Sequence, residues 1–99
     1  PVDEKIPRLT ARGISREMAQ FIIFEMPDLD YSRESYQKRL DAFDALDDAF
    51  NLPVSFDRST AESAYHAGKS GEALFTAGGF NRAFMDALYI VGQNIGFKL

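Results

Sequence analysis

Apolar residues return along this chain mostly at intervals of three and four, the period of an α-helix buried on one side. The clearest case spans residues 32–50. There Tyr36, Leu40, Phe43, Leu46 and Phe50 form one stripe, the turn residues of 27–30 precede it, and Asn51 and Pro53 end it. An earlier segment, 15–26, opens on Ser15 as an N-cap and stops at Pro27, with Ile14, Met18, Phe21 and Ile22 on one side. Its run Phe21, Ile22, Ile23, Phe24 exceeds one face and also fits a short buried strand. The caps and the i, i+3, i+4 spacing favour a helix.

A third helix is expected from Ser59, where Ser59 and Glu62 make a capping box. Gly68 and the Ser70, Gly71 pair break it. A short piece over 71–77 restarts with Ser70 as its cap, and Gly78 with Gly79 closes that piece. The last helix covers 81–93. Its polar positions Arg82, Asp86 and Gln93 make a narrow strip, and Phe84, Met85, Leu88, Tyr89, Ile90 and Val91 fill the remainder. A helix this apolar is either central to the fold or covered by a second copy, and the narrow strip predicts a homodimer. Residues before Ser15 are too few, and too interrupted by Pro7, to predict another helix. The pattern predicts an all-α fold: one domain over 1–99, a compact bundle of four main helices with the third broken in two.

Composition narrows the functional classes. With 99 residues, 45% of them hydrophobic, the chain can bury one core but hardly a deep cavity as well, which favours a surface function. The absence of cysteine excludes thiolate chemistry and disulfides and suits a reducing cytoplasm. Apolar runs such as 21–24 and 88–91 fall far short of the ~20 residues that span a bilayer. No signal peptide opens the sequence, and Pro1 fits removal of an initiator methionine in the cytoplasm. Net charge is −4 and unevenly spread. Residues 1–16 sum to +2, residues 17–57 to −7 and residues 58–99 to +1. An acidic centre repels phosphate backbones and attracts basic partners.

Four aspartates stand on the 32–50 helix. At 100° per residue, Asp44, Asp48 and Asp41 fall about 100°, 140° and 160° from Phe43, on a polar strip continued by Gln37 and Glu34. Asp47 falls about 40° from Phe43, inside the apolar arc, and close to the helix C-terminus, where the dipole disfavours an anion. An aspartate that breaks two local rules either reaches water or a nearby arginine at a fraying helix end, or, with Asp44 and Asp48, marks a partner interface. On the interface reading Asp47→Leu stabilises the fold and weakens binding. Tyr31 and Tyr36 are the expected apolar anchors beside Asp41, Asp44, Asp47 and Asp48.

Other chemistry is thin. His66 and Glu62 share a helical face, but two groups without a companion motif make neither a metal site nor a catalytic pair. The aspartates have no second acidic cluster to complete a magnesium site. Gly68, Lys69, Ser70 lacks the glycine and strand of a P-loop. Gly78 and Gly79 before Arg82 read as a helix–helix turn rather than an anion site. No serine-nucleophile motif occurs. The expected function is non-catalytic, without cofactor or metal: binding a basic protein partner, as an inhibitor, adaptor or immunity-type protein. The alternative is a DNA-binding regulator. Residues 9–18 resemble the turn and second helix of a helix-turn-helix, with Arg12 and Arg16 placed for phosphates.

Overall fold

The computed structural model describes the backbone of residues 2–99 and the side chains of 4–99; Pro1 lies outside the described residues. The chain is all-helical, 74% helix, with no strand among the described residues. Six α-helices follow one another: α1 Val2–Thr10, α2 Arg16–Gln20, α3 Arg33–Phe50, α4 Arg58–His66, α5 Gly71–Phe75 and α6 Phe80–Ile95.

The caps explain most of these limits. Ser15 accepts from Met18 N–H at α2, and Ser32 accepts from Ser35 N–H at α3. Asn51 closes α3 in the left-handed region, at φ 50°. The expected Ser59 cap is corrected. Asp57 caps α4, accepting from the Thr60 N–H at 3.2 Å and the Thr60 hydroxyl at 2.7 Å, and Ser59 lies inside the helix. Residues 21–24 are helical. After α2 the chain widens into a π-helical turn, Phe21–Glu25, with Met26 N–H bonded to Phe21 O, then tightens into the 3₁₀ turn Met26–Asp28. Pro27 supplies no N–H, so the α-helical ladder cannot run through it.

α1 was not expected, because Pro7 was read as an interruption. It forms around Pro7 and is held at the far end of the chain. Arg8 donates to Ile95 O at 2.7 Å and stacks over the Phe97 ring, and Lys5 Nζ donates to Lys98 O. One buried cluster runs through the molecule, from Leu9 and Ile22 through Phe43 and Leu46 to Phe75, Phe80 and Val91. α6 packs against α3 and α1, and α4 packs against α5 and the 3₁₀ turn Ala77–Gly79. The stripe on α3 is legible in the result: Tyr36, Phe43 and Leu46 are buried and Leu40 and Phe50 half-buried. Phe80 is the hub of an aromatic lattice, with Tyr36, Phe43, Phe56 and Phe84 rings within 6.3 Å. No helix among the described residues is long and apolar enough to cross a membrane.

Candidate partner-binding surface

The solvent side of α3 is a ridge bearing Glu34, Gln37, Asp41 and Asp48, all exposed, with Asp44 half-exposed beside them. Their charges are only partly free. Glu34 pairs with Lys38 one turn on, Asp41 accepts from Gln37 Nε2 at 3.0 Å, and Asp44 pairs with Arg58 of α4. Asp48 has no hydrogen bond or ion pair among the described residues. Exposed pairs of this kind contribute little stability.

Asp47 is half-buried, as the helical angles imply, but it has an internal partner. Its Oδ1 accepts from the Leu52 N–H at 3.2 Å, and its carbonyl accepts from Asn51 N–H. It fastens the turn that follows α3. Leu52 is buried, so without Asp47 its N–H would have no acceptor. The expected gain from Asp47→Leu is therefore reversed. The substitution should destabilise by about 1 kcal/mol, net of the relieved helix dipole, in a denaturant melt; an unchanged or raised midpoint would contradict this role.

The two tyrosines are also placed differently from the aspartates. Tyr36 is 2% exposed and stacks on Tyr65 at 5.9 Å within the core. Tyr31 is 62% exposed, but its ring edge meets Phe75 and it lines a different groove, with Ile22, Pro27 and Met85. The apolar residues that adjoin the ridge are Met18 and Phe21. They floor a groove of about 330 Å³ whose rim carries Glu17, Glu25, Lys38 and Asp41. Sequence reasoning missed this grouping. Met18 and Phe21 share one side of their segment, as expected, and pack against the core, but both remain half-buried and so also floor this groove.

The turn leading into α3 is a second acidic feature with a structural use. Hydrogen bonds from the Ser35 and Ser32 side chains and the Ser32 N–H hold the Asp30 carboxyl down to about 2. Thr60 lowers Asp57 in the same way, through its hydroxyl and its N–H. Both carboxylates are occupied by their own helix starts.

His66 and Glu62 are exposed one turn apart on α4, with no hydrogen bond between them. Asp44 turns to Arg58 and Asp47 to Leu52, so the aspartates diverge. Among the described residues no group of three or more carboxylates or imidazoles is arranged to hold a metal. The glycines at 78 and 79 serve a turn, at φ 64° and 78°. No protein-family model, curated protein or solved structure matches the chain.

Proposed function

We propose that this protein is a non-catalytic binding module of the inhibitor, adaptor or immunity type, working in the cytoplasm, whose partner brings a basic surface to the α3 ridge. The observation that carries this reading is the groove beside the ridge. Met18 and Phe21 offer apolar contact, and Glu17, Glu25 and Asp41 surround them with unsatisfied or exchangeable negative charge. An amphipathic basic segment has both complements, an apolar side for the floor and cations for the rim. Carboxylates on the rim steer encounter, and the apolar floor supplies affinity.

Capture from the native host with wild type and with the Asp41→Asn, Asp44→Asn, Asp48→Asn triple variant tests it. The variant should associate on the order of ten-fold more slowly at low salt, the difference fading as salt is added. Its melting temperature should stay within a degree or two. Equal association rates at low salt would refute the ridge.

The helix-turn-helix alternative gains α1 as a first helix, and Arg16 is exposed without a bond among the described residues, but its other nearby cations are engaged. Arg8 is bonded to Ile95 O, Arg12 stacks over the Phe50 ring at 4.3 Å, and Glu17 and Glu25 flank the would-be recognition helix. A salt-dependent mobility shift with duplex DNA would favour that reading over the first.

A second reading concerns assembly. Met85 and Tyr89 on α6 are 57% and 69% exposed, in line with a homodimer through this helix. Sedimentation at micromolar concentration should give twice the chain mass, reduced to one by Tyr89→Glu. A monomer at high micromolar concentration would remove this part of the proposal.

A further inference from the structure

Between α3 and α4 lies a pocket of about 320 Å³, on the flank of the ridge opposite Met18 and Phe21. Its base is Tyr36. Three ring contacts, to Tyr65, Phe75 and Phe80, fix that side chain. The Tyr36 hydroxyl makes no hydrogen bond among the described residues. Yet every fully buried side-chain nitrogen and oxygen among them has a partner. The small accessible part of Tyr36 is therefore its hydroxyl, turned into the pocket it lines.

Two opposite charges stand at the mouth. Arg58 lies over the Phe56 ring, 4.7 Å from its centre, and gives one nitrogen to Asp44, leaving further N–H groups. Glu62 sits one turn along α4 and has no ion pair, because Arg58 turns to α3 instead of to it. Tyr36, Arg58 and Glu62 all line this one space. The Gln37 amide nitrogen is used by Asp41, and its oxygen remains available. Leu40 and Phe56 supply apolar wall.

We propose that this pocket binds a free α-amino acid with an apolar side chain, its carboxylate held by Arg58 and the Tyr36 hydroxyl and its ammonium by Glu62 and the Gln37 oxygen. The volume lies at the lower end of ligand sites, which suits a molecule of this size rather than a larger one. The opposite charges of Arg58 and Glu62, set among the apolar walls of Leu40 and Phe56, match the groups of such a zwitterion. A carboxylate arriving at Arg58 would take the N–H groups that Asp44 leaves free.

The test is a titration of the protein with L-leucine and L-phenylalanine, followed through backbone amide resonances. Saturable shifts confined to residues around Tyr36, Phe56 and Glu62 are expected at millimolar ligand. L-phenylalaninamide and N-acetyl-L-phenylalanine each lack one charge and should bind roughly ten-fold more weakly or not at all. Arg58→Gln should weaken the free amino acid as the amide does, and Glu62→Gln as the acetyl derivative does. Tyr36→Phe removes a hydroxyl with no internal partner, so it should leave the melting temperature unchanged or raised while weakening binding several-fold. The proposal is overturned by the absence of saturable shifts with either amino acid, by either derivative binding as tightly as free L-phenylalanine, or by undiminished binding to Tyr36→Phe.

Discussion

Replacing Gly78 by alanine should unfold much of the molecule's stability, by about 3 kcal/mol or more, while the same change at the adjacent Gly79 should cost only about 1 kcal/mol. Both glycines have positive φ, so both substitutions carry the left-handed strain. They differ in what the new methyl group meets. At Gly79 nothing lies within 4 Å, whereas at Gly78 a Cβ would stand 2.2 Å from Asp57 O and 3.2 Å from Ala61 N. Those are backbone atoms at the start of α4 and cannot swing aside as a flexible side chain would. The same contact is doubly used. Asp57 N–H donates to Gly78 O at 2.8 Å, and Asp57 O accepts the Ala61 N–H that begins the helix. Pushing residue 78 outward therefore breaks the junction between the 3₁₀ turn and α4, with the Asp57 cap beside it. Thermal melts should show Gly78→Ala lower by roughly 15 °C and Gly79→Ala by roughly 5 °C. Equal losses would mean that strain alone matters and the close approach does not.

Arg39→Met should be the next most damaging change, about 2–3 kcal/mol. Arg39 stands on α3 with 9% of its surface exposed. Its guanidinium donates to Asp30 O at 2.7 Å and Leu29 O at 3.1 Å, and lies 5.2 Å from the centres of both the Tyr31 and Phe75 rings. One planar group thus fixes the loop entering α3 and packs beside two aromatic rings that touch each other. Methionine keeps the apolar stem and loses both hydrogen bonds, leaving two carbonyls without a donor. Lysine keeps the charge but cannot span two carbonyls in one plane, so Arg39→Lys should recover no more than about half of the loss. Denaturant titration of the three proteins measures the order wild type, lysine, methionine. A methionine variant as stable as wild type would show that the loop is held by other contacts.

Neither Gly78 nor Arg39 could have been ranked from the sequence, although the helices around them could. The stripe from Tyr36 to Phe50 and the residues Ser32 and Asn51 carry their information locally, in period and in capping chemistry, and α3 follows them closely. Where the reading missed, a distant partner had decided the outcome. α1 survives Pro7 because Arg8 and Lys5 reach carbonyls 87 and 93 residues away. At α4 the expected cap is Ser59 with Glu62, and the fold has two competing starts there, Asp57 with Thr60 and Ser59 with Glu62. The bond from Asp57 N–H to Gly78 O favours the first. The angular placement of the aspartates was legible too, including the half-burial of Asp47. Their pairings were not, because Arg58 and the turn at Leu52 approach from outside the helix.

The stacking of Tyr36 on Tyr65 gives the molecule an optical character of its own. The chain has four tyrosines and no tryptophan, so its ultraviolet emission and its near-ultraviolet dichroism come from a handful of phenol rings. Two of them face one another across the α3–α4 seam at an angle of 24°, rigid enough to give a dichroic signal that tracks the closeness of those helices. Tyr89 stands apart on the outer side of α6. With Tyr89 changed to phenylalanine, the remaining light comes from one end of the protein, and its intensity becomes a label-free meter for events at the seam.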